Sequence, residues 1–244
     1  TGRPNGMVVD SHGTLWVAES MNPPSLKKVE LSGSSESIIT GGDGVEFLFP
    51  NDLAFGPDGA LYMTDSGVSR PVFQQARETG RLNSKIDGKV FRIDLASKSA
   101  IVLDDGLQFA NGLAFGLDDA LYVTTTLNGL VYRYDWKHDG TLAPREEFTN
   151  LVDRNQGSSF IGGDGLAVGV NGFLYCAVVG QGDVTVVDTD GRIVERIIVG
   201  GDQPTNVAFG PRDSGDLYVT VKDAGTFERY KIGIAGLPLH LSIV

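Results

Sequence analysis

One pattern returns five times along this chain of 244 residues and restricts its folds more than any other feature. A small polar residue opens a short apolar run at Asn5-Gly6-Met7-Val8-Val9, Asn51-Asp52-Leu53-Ala54-Phe55, Asn111-Gly112-Leu113-Ala114-Phe115, Asp164-Gly165-Leu166-Ala167-Val168 and Thr205-Asn206-Val207-Ala208-Phe209. In the first four copies an aromatic stands eleven positions after the opening residue, at Trp16, Tyr62, Tyr122 and Tyr175; in the fifth, Tyr218 comes two later. Turn residues such as Gly56-Pro57-Asp58-Gly59 and Gly169-Val170-Asn171-Gly172 lie between, so each copy reads as strand, tight turn, strand.

A third alternating run follows each time, over 26–31, 89–95, 130–136, 183–188 and 226–232, and fourth strands are expected over 37–40, 100–103, 147–151 and 193–199. No stretch carries a helical period over eleven or more residues. Four-stranded meanders whose opening residues recur after 46, 60, 53 and 41 positions predict an all-β chain of the β-propeller class, a single domain over residues 1–244. The 60-residue interval holds an extra loop, 66–88, whose polar and charged content suits a lid or rim rather than core.

Such a meander brings its innermost strand in from one face of the disc and returns its second strand to that face. The opening residues Asn5, Asn51, Asn111, Asp164 and Thr205 are therefore expected around a central channel, with the loops after Glu19 and Asp65 at its mouth. A blander account makes Asn-Gly and Asp-Gly favoured turn pairs and nothing more. Against it, oxygen-bearing side chains at one repeat position converge: Asn51, Asn111 and Asp164 would supply two amides and one carboxylate. That donor set suits Ca²⁺, with waters completing its shell, better than Zn²⁺; Mn²⁺ and Mg²⁺ are further alternatives.

Composition narrows the chemistry further. His12, His138 and His240 lie off the opening positions and no G-x-S-x-G elbow occurs, which disfavours a His-bound zinc, a His base and a serine nucleophile and leaves metal-assisted hydrolysis. A formal charge of −11 argues against nucleic acid and anionic membrane surfaces as partners. The longest apolar run, 173–179, is too short for a membrane helix and holds the single cysteine, Cys176, expected as a buried small hydrophobe. The chain is expected to be soluble. Its start at Thr1 reads as a native N-terminus trimmed, cleaved or left out, and compartment is not legible, with cytoplasmic favoured slightly over periplasmic or secreted. Oligomeric state is not legible either.

The motifs Pro50-Asn51-Asp52-Leu53-Ala54-Phe55 with Leu61-Tyr62-Met63-Thr64-Asp65, Ala110-Asn111-Gly112-Leu113, Gly163-Asp164-Gly165-Leu166-Ala167-Val168 and Pro204-Thr205-Asn206-Val207-Ala208-Phe209-Gly210 resemble the gluconolactonase family, related to senescence marker protein and regucalcin. The resemblance covers essentially the whole chain. It implies a six-bladed propeller that opens sugar lactones with a bound divalent metal, of which five repeats are visible here and the first blade, with its Glu ligand in a Glu-Gly-Pro-like motif, is not. By that likeness Asn51, Asn111 and Asp164 match the metal ligands, and Asp164 also matches the proton-transfer residue. The expected partner is a small lactone, with Asn5, Glu19, Phe49, Asp65 and Thr205 as its contacts. Phe49 stands where animal-type members carry Arg. Two other readings are a non-catalytic NHL-like scaffold and a strictosidine-synthase-like propeller.

Overall fold

The computed structural model describes residues 2–79, 84–153 and 160–241. It divides into two compact units, one of residues 1–110, 138–141 and 240–244, the other of residues 111–137 and 142–239.

The first unit opens with β1 (Pro4–Val9), β2 (Leu15–Glu19), β3 (Ser25–Val29) and β4 (Ser35–Ile39), an antiparallel sheet in chain order. A small hairpin, β5 (Gly41–Gly42) and β6 (Val45–Glu46), leads to a second four-stranded sheet. That sheet contains β7 (Pro50–Phe55), β8 (Leu61–Asp65), β9 (Gly88–Asp94) and β10 (Ser99–Leu107), with α1 (Arg70–Thr79) between β8 and β9. The inward positions of these two sheets, Trp16, Leu26, Leu53, Phe55, Leu61, Met63, Phe91 and Ile93 among them, form one buried cluster. Each such side chain stabilises the fold by about 1.5–3 kcal/mol before conformational entropy is charged against it.

The second unit contains β11 (Ala110–Phe115, from Asn111 onward), β12 (Leu121–Thr125), β13 (Leu130–Tyr134) and β14 (Glu146–Asn150), then β15 (Gly162–Val168), β16 (Leu174–Val179), β17 (Asp183–Val187) and β18 (Ile193–Ile198). A last sheet has three strands, β19 (Pro204–Phe209), β20 (Asp216–Val221) and β21 (Thr226–Lys231). Four strands per repeat therefore holds for four repeats; among the described residues the fifth stops at three. Two buried clusters, one around Tyr122, Leu166, Leu174 and Cys176 and one around Tyr175, Val184, Val207 and Leu217, fill this unit.

The repeated aromatics occupy one structural position. Trp16, Tyr62, Tyr122 and Tyr175 are each the second residue of the second strand of their sheet. Trp16 Nε1 donates to Asp10 Oδ2 at 3.0 Å and Tyr62 Oη to Asp58 Oδ2 at 3.4 Å, so the ring packs while its polar end ties down the preceding turn. Cys176 is fully buried and burial pushes its thiol up, which leaves it a packing group rather than a nucleophile.

The extra loop departs from expectation in two ways. It holds a ten-residue helix, just under the length over which a helical period is recognisable in sequence. It also has a core: Val68, Ile86, Val72 and Phe73 pack with Phe49 and Phe109. The polar composition concealed this because the apolar residues are few and are completed by rings from the strand entries. Residues 80–83 of this loop lie outside the described residues.

Candidate functional site

Four of the five opening residues sit in an irregularity of their strands. Pro4 pairs with Glu19 and Met7 with Val17, so Asn5 and Gly6 face a single residue of β2; Asn51 and Asp52 stand likewise between the Pro50–Asp65 and Leu53–Met63 pairs. Asp164 and Gly165 fill the same bulge in β15, and Thr205 is the extra residue of β19. A β-bulge re-aims the side chain it carries, and in these four strands it falls at the same repeat position. The bulge frees a backbone N–H at Asp52, which Thr64 Oγ1 accepts at 3.0 Å.

The Asn-Gly and Asp-Gly pairs are not turn pairs. They lie in strands, and glycine there answers to crowding. A Cβ on Gly112 would stand 2.5 Å from the Asp164 carbonyl oxygen, and one on Gly165 would stand 3.0 Å from the Asn206 Cα. In the second unit, therefore, β11, β15 and β19 run side by side with their backbones in close approach, and Asn111 and Asp164 lead neighbouring strands. In the first unit a Cβ on Gly6 would meet the backbone of Asn51 and Asp52 in the same way.

The side-chain amides are oriented by hydroxyls fifteen residues on. Asn51 Nδ2 donates to Ser66 Oγ at 2.9 Å, and Ser66 Oγ donates to the Ala110 carbonyl at 3.0 Å. Asn111 Nδ2 donates to Thr126 Oγ1 at 2.9 Å, and Thr126 Oγ1 donates to the Gly163 carbonyl at 2.8 Å. A hydroxyl whose proton is spent on a carbonyl can only accept from the amide, so the NH₂ is fixed on its side and Oδ1 turns the other way. Both amides are buried. At Asp164 the corresponding position is the buried Val179; a carboxylate has two equivalent oxygens and needs no partner to choose between them.

Of the remaining expected contacts, Asn5 donates through Nδ2 to Asn51 Oδ1 at 3.0 Å. Thr205 is bonded to Thr220 between hydroxyls at 2.9 Å, the fifteen-residue relationship again. Glu19 and Asp65 act on backbone. Glu19 accepts the N–H groups of Gly2, Arg3 and Met21; Asp65 accepts those of Leu48, Phe49 and Gly67. Asp223 takes Asp202 and Gln203 in the same manner. Three carboxylates thus clamp the two residues that stand two and three places before an opening residue. Phe49, the other expected contact, packs edge-on to Phe73 at 6.2 Å and Phe109 at 5.7 Å, with Arg70 Cζ 5.1 Å over its ring.

Among the described residues no group of three or more His, Cys, Asp or Glu could hold a metal ion. An amide-based set is of a different kind. In the second unit the amide oxygen of Asn111 and the carboxylate of Asp164, and in the first unit the amide oxygen of Asn51, are each hard donors of the kind a calcium-like cation takes, so the donor chemistry of these residues fits a divalent cation.

Sequence reasoning found the opening residues and missed Ser66, Thr126 and Arg70. The fifteen-residue offset from opening residue to hydroxyl, repeated in Asn51/Ser66, Asn111/Thr126 and Thr205/Thr220, is the signal that could have exposed the first two.

Five repeated blade sheets, four of them with a bulged polar residue in the leading strand, define an all-β propeller. The chain belongs to the SMP-30/gluconolactonase/LRE-like family, whose model matches residues 27–223. The gluconolactonase of Zymomonas mobilis is 26% identical over 218 residues, covering 85% of this chain and 58% of that protein. The 6-deoxy-6-sulfogluconolactonase of Pseudomonas putida is 31% identical over 134 residues, 54% of this chain and 44% of that one. The chain thus spans about half the length of the curated relatives it matches. Among solved structures, the calcium-binding protein regucalcin of Agrobacterium tumefaciens superposes with a TM-score of 0.79 at 19% identity, covering 99% of this chain and 80% of that one. No helix among the described residues is long and apolar enough to cross a membrane.

Proposed function

We propose that this chain carries the lactone-opening site of a metal-dependent hydrolase for sugar lactones. The observation that carries the reading is the pair of buried amides, Asn51 and Asn111, at equivalent repeat positions, each with its NH₂ held by a hydroxyl fifteen residues on. Family membership and the gluconolactonase relatives support the substrate class. The single-domain reading rests on the family match running through both units, and the six-bladed plan on the likeness to solved members, of whose length this chain covers 76–80% in two cases.

Asn51, Asn111 and Asp164 would hold a divalent cation, with Ca²⁺ the ion best matched to amide and carboxylate oxygens. When bound, such an ion polarises the lactone carbonyl and lowers the energy of the oxyanion that develops there. The Asp164 carboxylate supplies the one formal charge of the set and takes or orients the proton of the attacking water at one of its oxygens. Asn51 Oδ1 also accepts from Asn5, so Asn5 holds that oxygen in place while one lone pair remains for the cation. The clamps at Glu19 and Asp65 hold the chain that enters at Asn5 and Asn51, which makes them positioning residues rather than substrate contacts.

The test compares Asp164→Asn with Asn111→Ala. The first keeps size and one oxygen but loses the charge and the proton acceptor; the second weakens the cation and keeps the acceptor. Saturating Ca²⁺ is expected to restore gluconolactone turnover far more in Asn111→Ala. Wild-type turnover and calcium affinity in Asp164→Asn would overturn the mechanism in favour of a non-catalytic scaffold.

A further inference from the structure

We infer that Arg70 receives an anionic group of the bound ligand, so that the substrate is a lactone bearing a carboxylate, sulfonate or phosphate in addition to its ring ester. The inference rests on the lactonase reading for the identity of the ligand, and on the first unit alone for its geometry.

Arg70 is the first residue of α1 and is half-buried. Its guanidinium lies over the Phe49 ring, Cζ 5.1 Å from the centroid, and Nη1 donates to Ser20 Oγ at 2.9 Å. Ser20 Oγ in turn donates to the Arg3 carbonyl at 2.9 Å. The cation therefore lies against Phe49 and is linked through Ser20 to the Arg3 segment: Phe49 stands two residues before Asn51, and Arg3 two before Asn5, whose amide meets Asn51.

A guanidinium has five donors in a planar fork suited to carboxylate, sulfonate or phosphate. Here a hydroxyl takes one donor, an aromatic face covers the plane, and among the described residues no carboxylate forms an ion pair with it. The nearest acid, Glu19, has both oxygens on backbone N–H groups. Burial first, and then the neighbouring Arg3, push the Arg70 guanidinium down from its ordinary range, with Glu19 opposing them in part. In a chain of formal charge −11, an arginine with which no carboxylate among the described residues is paired forms a local positive site. Rings from Phe49, Phe73 and Phe109 beneath it keep the stacked guanidinium in one orientation, so little side-chain freedom is lost when an anion arrives.

The experiment measures kcat and KM for glucono-1,5-lactone and for a glucarolactone, which adds one carboxylate, in wild type, Arg70→Gln, Arg70→Lys and the remote control Arg192→Gln. Loss of a charge-assisted contact predicts that Arg70→Gln lowers the anionic-to-neutral ratio of kcat/KM about tenfold or more, through KM, with Arg70→Lys intermediate and Arg192→Gln unchanged. Calorimetric titration of the open-chain acids gluconate and glucarate gives a readout independent of turnover: wild type should prefer the dianion and Arg70→Gln should not. Lactone turnover with an unchanged ratio in Arg70→Gln overturns the inference and leaves the lactonase reading intact. Loss of glucarate preference in a protein that opens neither lactone supports the anion site and removes the lactonase reading. Equal displacement of glucarate by sulfate at matched ionic strength in wild type and Arg70→Gln shows screening alone and also overturns the inference.

Discussion

Asn111 Nδ2 and Thr126 Oγ1 stand 2.9 Å apart, and because the hydroxyl spends its own proton on the Gly163 carbonyl, the bond can run only from amide to hydroxyl. Thr126 therefore decides which end of the Asn111 amide is presented. Thr126→Val keeps the shape but offers neither acceptor nor donor, removing the buried bonds to the Asn111 NH₂ and the Gly163 carbonyl at a cost of about 1–3 kcal/mol. Calcium affinity should fall as the amide loses its fixed sense, and Thr126→Ser should recover it. Titration calorimetry alongside thermal melting separates the two effects: a valine variant that loses stability while binding calcium as wild type does would show that Thr126 only packs.

Gly112 faces the tightest backbone approach at an opening position of the second unit. A methyl there meets the Asp164 carbonyl oxygen at 2.5 Å and Gly165 Cα at 2.7 Å, atoms that cannot rotate away. Gly112→Ala should destabilise by about 1–3 kcal/mol through overpacking and should displace Asp164, lowering cation affinity as well. Gly13→Ala is the comparison, since a Cβ at Gly13 meets nothing within 4 Å and its cost comes only from a φ of +82°. Urea denaturation of both variants checks the contrast, and equal stability with equal calcium affinity would refute the steric account.

These two cases show what the sequence could and could not reveal. The repeat announced strands because alternation and turn residues act locally, and the third and fourth strands fell within a few residues of where the pattern put them. The function of Gly112 was not legible as crowding, since its neighbour Asp164 is 52 residues away and Asn-Gly is equally a turn signal. Arg70 and Phe73 were hidden for a related reason: α1 has few apolar residues, and its core is completed by Phe49 and Phe109 from other segments. Glu19 and Asp65 were legible as carboxylates near the strand ends, but not that backbone N–H groups would occupy them.

The paired clamps titrate in opposite senses. Burial raises Asp65 above its ordinary value, more than the N–H groups of Gly67, Phe49 and Leu48 and the charge of Lys89 lower it. Asp223 does the same job in the open, and its bonds from Asp202 and Gln203 hold it below the ordinary value. A raised folded-state value means that the stability linked to Asp65 is complete below the unfolded value, about pH 3.9, and is lost as pH rises through the folded one. For Asp223 the linked stability is present above the unfolded value and is lost as pH falls through the folded one. Carboxyl carbon shifts followed by NMR should place Asp65 above Asp223. The reverse order would contradict the role of burial.

Phe109 combines a φ of +67°, unusual for a bulky residue, with a ring 4.3 Å from Phe73 and 5.7 Å from Phe49. Holding a non-glycine side chain in the left-handed region costs on the order of 1–3 kcal/mol, which the aromatic packing under α1 offsets. The strain and the helix are thus coupled. Phe73→Ala should remove the aromatic contact that anchors α1, destabilise the first unit by about 2–4 kcal/mol and loosen the segment that carries Arg70. Because no residue of α1 is at an opening position, the variant should change the ranking of lactone substrates while calcium affinity stays near wild type. Hydrogen exchange at α1, substrate ranking and calcium titration on one preparation decide the matter. Unchanged ranking with weakened calcium binding would mean that the helix supports the cation site and not substrate choice.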